Sequence, residues 1–203
     1  DPSRLKHPEV TLYPFFNPIS HKGSIPFPEN ALSLKSNRME VYAAETSKPN
    51  KPLAEEVNKL LQKEGMVFPV REVWGKTTSM KPFDWGYFIQ DDSGQLFNLN
   101  RADNIVHLSL VPLPREIGRV VYIQVSENRH KQFYGYAISD KSKVYLISYP
   151  DYRFIPLEMN GFNYQTMSFQ LLSDPLYYVM RYNDGERYSA VRFSKNYAKI
   201  DSV

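Results

Sequence analysis

The sequence predicts a mainly β fold: repeated antiparallel meanders, propeller-like, in a partial or a closed ring, with one covering helix. Three observations carry this. Aromatic residues (15 Tyr, 12 Phe and 2 Trp) make up 14% of the 203 residues, and flat rings pack well on a pleated, half-buried surface. Fifteen Pro and nine Gly punctuate the chain into many short elements. One layout, an apolar strand, a polar turn and a second apolar strand, recurs three times at roughly 45 residues, the period of a propeller blade.

The first thirty residues hold Pro2, Pro8, Pro14, Pro18, Pro26 and Pro28. Proline this dense removes ladder donors and forbids helix, so the segment reads as irregular extended chain with one short strand, Val10 to Phe16. A second strand is expected over Met39 to Ala44, with Met39, Val41 and Ala43 on one face. Ser47 to Pro52 is a surface loop. Leu53, Val57, Leu60 and Leu61 then fall on one helical stripe. Asn50 suits the cap, Pro52 the first turn, Glu55 and Glu56 the positive end of the dipole, and Gly65 the left-handed residue past the end.

Beyond Gly65 the period changes to 2. Val67 to Trp74 reads as a strand interrupted by Pro69. The three hairpins follow, Trp85 to Leu99, Tyr134 to Ile147 and Tyr177 to Val191, the last around an Asp184-Gly185 turn. Phe97, Tyr145 and Tyr188 occupy like positions in their second strands, and Gly86 and Gly135 like positions in two first strands. Further apolar stretches, Ile105 to Val111, Val120 to Val125, Arg153 to Leu157 and Tyr197 to Ile200, extend each hairpin into a meander. One such meander cannot bury its own apolar face, whereas stacked neighbours can. The expected organisation is a Pro-rich segment, 1–66, with short strands and a helix over 53–64, packed on a meander region, 67–203, of three units at about 67–112, 119–157 and 162–203. A single sandwich with look-alike hairpins is the competing architecture.

Composition excludes whole function classes. With 42% hydrophobic and 23% charged residues, the chain is not disordered. Its net charge of +3, spread along the chain, makes no case for nucleic acid or an anionic membrane. The absence of Cys removes disulfides, thiolate nucleophiles and cysteine metal sites. No apolar run reaches the length of a membrane helix. The chain opens at Asp1 rather than Met, so its natural N-terminus is expected to lie further upstream.

Chemical motifs are sparse. His7, His21, His107 and His130 show no metal-ligand spacing, and no nucleophile elbow or phosphate-binding loop occurs. Asp91-Asp92 lack the further ligands of a calcium loop and read as turn chemistry. No catalytic, cofactor or metal residue is assigned. The richest cluster runs from Trp74 to Tyr87 and joins two strands. Trp74, Lys81, Asp84, Trp85 and Tyr87 are the candidate partner or ligand surface, because aromatic rings beside polar groups stack on sugars or anchor proteins; the plainer alternative is that the rings close a gap in the core. Tyr149-Pro-Asp-Tyr-Arg-Phe154 is a weaker candidate of the same kind. Glu127 to Lys131 reads as solvated loop charge. An acid pair drawn from Glu72, Asp84 and Glu116 would suit a glycan-active enzyme, provided the fold sets two acids about 5–9 Å apart in a cleft.

The stretch Phe68-Pro69…Trp74-Gly75…Thr77-Thr78…Lys81-Pro82-Phe83-Asp84…Gly86-Tyr87-Phe88…Asp91…Gly94-Gln95-Leu96-Phe97 resembles a bacterial family of uncharacterised envelope proteins, a domain of unknown function. Phe15-Phe16-Asn17-Pro18-Ile19-Ser20, Phe133-Tyr134-Gly135 and Tyr149-Pro150-Asp151-Tyr152 fit it too. One departure is Trp85, where the pattern has an acidic residue, so Asp84 lacks a neighbour for an acidic pair. The resemblance implies a periplasmic domain on the extracytoplasmic side of a bacterial membrane, anchored by segments outside this chain and a companion of transport systems. It supplies no cofactor and no catalytic or ligand residues. The expected function is non-catalytic binding or assembly with an envelope protein partner, and the alternative a glycan-active enzyme or carbohydrate-binding module. Oligomeric state is left open.

Overall fold

The computed structural model describes residues 12–127, 129 and 131–203. They form four antiparallel sheets and one helix. The first sheet holds β1 (Tyr13–Phe15), β2 (Asn30–Leu34) and β3 (Met39–Ala43), and α1 (Lys51–Lys63) follows it. The second holds β4 (Glu72–Trp74), β5 (Tyr87–Gln90), β6 (Leu96–Ala102) and β7 (Ile105–Val111). The third holds β8 (Val120–Val125), β9 (Phe133–Ser139), β10 (Val144–Ser148) and β11 (Phe154–Leu157). The fourth holds β12 (Ser168–Ser173), β13 (Tyr177–Asn183), β14 (Tyr188–Ser194) and β15 (Lys199–Ser202). In every sheet, neighbours in sequence are neighbours in space, which is the meander expected of short strands with tight turns.

The three hairpins form as the sequence predicts, with Ile89 opposite Phe97, Ala137 opposite Tyr145 and Asn183 opposite Tyr188. Tyr188 is not equivalent to the other two, however: it opens its strand and is exposed, whereas Phe97 and Tyr145 are buried. No sheet closes on itself, and among the described residues no apolar cluster joins the first sheet to the fourth. The closed-ring form of the propeller expectation is therefore not formed.

Three apolar clusters hold the sheets face to face. One packs Phe15, Leu32, Met39 and Val41 with the α1 stripe Leu53, Val57 and Leu61 against Tyr87, Ile89, Phe97 and Leu99. The next sets Trp74, Phe88, Leu96 and Val111 against Ile123, Val125, Tyr134, Tyr145 and Ile147. The last sets Phe133, Ile138, Val144, Leu146 and Leu157 against Tyr178, Met180, Val191 and Phe193. Successive residues of β5, β6 and β10 thus serve opposite clusters, because a strand alternates its side chains. That is why both inner sheets need near-continuous apolar strands, and why β10 is buried at every position. Each fully buried Phe or Leu contributes about 1.5–3 kcal/mol. Gly86 and Gly135 mark close strand approach: a Cβ would lie 2.1 Å from the Leu99 carbonyl oxygen and 2.0 Å from that of Gln124.

Several expectations shift. The N-terminal third is more regular than its proline content predicts, because β2 pairs with both β1 and β3. Leu32 and Leu34, opposite Val41 and Met39, gain burial that a five-residue polar-rich strand does not advertise. The Val10 to Phe16 strand is seen as Tyr13–Phe15; Val10, with Pro2, Pro8 and His7, and His130 lie outside the described residues. Val67 to Trp74 contracts to Glu72–Trp74, since Pro69 offers no ladder donor and the Val67 N–H donates to the Asp91 carboxylate at 2.9 Å. Helix α1 begins two residues earlier than expected. Asn50 caps it, accepting from the Leu53 N–H, and Pro52 lies in the first turn, but Glu55 and Glu56 fall beyond that turn. Gly65 has φ +76°, as the end of a helix favours. Among the described residues no helix is long and apolar enough to cross a membrane.

Candidate functional site

Three loops meet at one end of the second and third sheets: 75–86 between β4 and β5, the described residues 126, 127, 129, 131 and 132 between β8 and β9, and 149–153 between β10 and β11. Rings bring them together. The Trp85 indole lies 4.5 Å from the Phe83 ring, 4.7 Å from Tyr134 and 4.8 Å from Tyr149. Both aromatic loops singled out in the sequence therefore contribute to a single rim. The Lys131 ammonium rests 4.8 Å from the Phe83 centroid and 5.8 Å from that of Trp85, a cation over ring faces. Tyr149 is 41% exposed and Met80, on the same loop as Phe83, 93% exposed.

The five nominated residues divide. Trp74 is buried in the core between the second and third sheets. Tyr87 is buried on the opposite face of the second sheet, where its hydroxyl donates to the Pro14 carbonyl at 2.8 Å. Burial, with the Asp84 charge next, pushes its phenol well above the ordinary tyrosine range. The side chains of Lys81 and Asp84 are 2% and 4% exposed. Trp85 is half-buried and lies at the rim with Phe83 and Tyr149. The expectation of an open surface built on all five is corrected: strand alternation directs Trp74 and Tyr87 into two cores, and ion pairing draws Lys81 and Asp84 inward. The accessible rings are instead Phe83, Trp85 and Tyr149.

Beneath the rim lies a cluster of charge. The Lys81 ammonium donates to the Lys76 carbonyl at 2.8 Å, to Asp84 Oδ1 at 2.5 Å and to Glu127 Oε1 at 3.3 Å. Its Nζ also lies 4.2 Å from the Phe16 ring centroid. Glu127 Oε1 accepts the Trp85 N–H at 2.9 Å, and the Trp85 indole N–H donates to the Ser126 carbonyl at 2.9 Å. Glu127 is thus no solvated loop acid: its side chain is fully buried, and its Oε2 has no hydrogen-bond partner. Burial outweighs the Lys81 charge and the Trp85 N–H, and raises its carboxyl to about 7.

A second network ties rim to core. Tyr134 and Tyr152 stack with centroids 4.4 Å apart and planes 8° apart. The Tyr152 hydroxyl donates to Asn98 Oδ1 at 3.0 Å. Asn98 Nδ2 in turn donates to the carbonyls of Trp85 and Tyr87, at 3.0 and 3.3 Å. Burial raises both tyrosines above their usual range, helped for Tyr134 by its bond to Tyr152. A register shift in the β9–β10 pairing leaves Tyr134 unpaired and turns its ring toward the second sheet. Sequence reasoning missed Asn98, Glu127 and Lys131. A polar residue midway along the apolar Leu96-Phe97-Asn98-Leu99 run was the one available signal, for Asn98.

The acid pair proposed from Glu72, Asp84 and Glu116 is not what assembles, since Asp84 meets Glu127 across Lys81. Asp91 is fully buried and accepts from Val67, Ser93 and Gln95, while Asp92 pairs with Arg71, so turn chemistry accounts for both. Among the described residues no three His, Asp or Glu are placed to hold a metal ion.

Fold and site together define a mainly β class of domain: short antiparallel meanders packed face to face, with one helix and with aromatic loops joining two of the meanders at one rim. The chain belongs to the family described as Domain of unknown function (DUF4857), whose pattern matches residues 1–193. Among curated proteins it matches none.

Proposed function

We propose that this chain is a non-catalytic binding or assembly domain of a membrane-anchored bacterial envelope protein, facing the extracytoplasmic side and accessory to a transport system. The observation that carries the binding role is the rim, where Phe83, Trp85 and Tyr149 present ring surface from two loops beside the exposed Met80 and the Lys131 ammonium. Aromatic and Met side chains are among those that anchor protein partners. A rigid two-sheet support lowers the ordering cost of binding. The envelope placement draws on the family resemblance alone. Asp84 and Glu127 both pair with Lys81, and their side chains are buried rather than open to a cleft, which disfavours a glycan-active site. The Trp85–Tyr149 ring pair keeps carbohydrate binding as the alternative.

A photo-crosslinking residue placed at Met80 or Tyr149 of the membrane-embedded protein tests this. We expect one discrete protein adduct from both positions, lost in Trp85→Ala and not formed from Tyr188, which is 74% exposed on the fourth sheet. Equal capture from Tyr188 overturns the reading. Protection by soluble glycan rather than by the purified domain selects the carbohydrate alternative.

A further inference from the structure

We propose that Glu127 is a proton-operated latch that closes the rim loop 75–86 against the third sheet when protonated and releases it when ionised. The geometry sets this up. Glu127 follows β8 of the third sheet, yet its Oε1 holds the Trp85 N–H and the Lys81 ammonium, both on a loop of the second. Two carboxyl groups share one ammonium in a site closed to water, so one acid is in excess of what Lys81 neutralises. The orphaned Oε2 is where the extra proton resides. With the proton on, the cluster is neutral and Oε1 keeps both donors. With it off, a second negative charge stands beside Asp84 without a counter-charge, and relief comes from admitting water.

Among the described residues, the titratable groups facing Glu127 are Lys81 and Asp84 from the loop and the phenol of Tyr87 from β5. The segment after β1 contributes only the Phe16 ring, over Lys81. The loop carries Phe83 and Trp85, so release rearranges the surface proposed above for partner contact. The latch rests on that reading for its consequence only. Its test uses the free protein, so failure of either idea leaves the other standing.

The probe is 5-fluorotryptophan incorporated at the two tryptophans, followed by 19F NMR from pH 5 to 9 at fixed ionic strength. We expect the Trp85 resonance to move with one midpoint near pH 7, in line with the raised Glu127 carboxyl, and the core Trp74 resonance to move far less. Glu127→Gln, which imitates the protonated acid, should hold the Trp85 signal at its low-pH position throughout. A wild-type Trp85 resonance that stays flat across the range overturns the latch without need of any variant. A midpoint that persists in Glu127→Gln assigns the titration elsewhere and overturns it as well.

Discussion

Replacing Asn98 by Leu removes one polar side chain from the junction of rim and core while keeping its branched outline and number of heavy atoms. Asn98 is 1% exposed. It gives up two donated bonds, to the Trp85 and Tyr87 carbonyls, and two accepted bonds, from the Tyr152 hydroxyl and the partly exposed Asn100 amide. A neutral hydrogen bond is worth about 1 kcal/mol net, and a buried partner left alone costs about 1–3 kcal/mol. The Tyr152 hydroxyl keeps Tyr134 and Ser109 nearby, so the orphaning falls mainly on the two carbonyls. The expected loss is about 3 kcal/mol, or about 6–12 °C in Tm for a domain of this size. Urea unfolding should show a lower midpoint at unchanged slope. In a Tyr152→Phe background the same substitution should cost about 1 kcal/mol less, because the shared bond is already gone. A loss below about 1 kcal/mol, or strict additivity of the two substitutions, would refute the network.

Further expectations follow from single positions. Glu127 has a carboxyl raised from 4.5 to about 7, so the folded state holds a proton that the unfolded chain releases. Its share of stability is therefore intact below about pH 4.5 and falls, by about 3 kcal/mol in all, as pH rises to about 7. Subtracting the Glu127→Gln stability profile from that of wild type should isolate this slope, and parallel profiles would contradict it. Asp103, Asp151, Asp174 and Asp184, whose hydrogen bonds hold them below the ordinary 3.8, act in the opposite sense and only at lower pH. Gly86→Ala forces a methyl against the Leu99 carbonyl at a φ of +72°; it should cost more than about 2 kcal/mol by chemical denaturation. Asp91→Ala strips the carboxylate that accepts three hydrogen bonds in the buried turn. It should cost about 3 kcal/mol and speed hydrogen exchange at the Val67 and Gln95 amides.

Local pattern was enough for the strands and turns of the second half. Trp85 to Leu99, Tyr134 to Ile147 and Tyr177 to Val191 announce hairpins through alternation and turn residues, which act over a few residues only. The α1 stripe is legible for the same reason, as are its Asn50 cap and Gly65 end. β2 and β12 were not, because Asn30–Leu34 and Ser168–Ser173 are short or mixed in character and owe their strand state to partners in their own sheets. The aromatic loops were visible as composition, but not which rings face water. Trp74 and Trp85 look alike on paper. Trp74 ends a strand whose alternation points it into the core, whereas Trp85 lies in the loop and stacks at the surface.

What the amino-acid order determined by itself is what near neighbours decide: the β class, the meander period and the helix with its Asn50 cap and its Gly65 stop. What only the tertiary structure decided is which distant charges and rings meet. Glu127 sits in a stretch as polar as any solvated loop, and nothing within it signals burial. It becomes a buried acid because packing of the third sheet on the second carries it 46 residues along the chain to Lys81. Its orphan oxygen and its raised pKa are properties of that contact, since desolvation and charge pairing depend on distance in space and not on spacing in sequence.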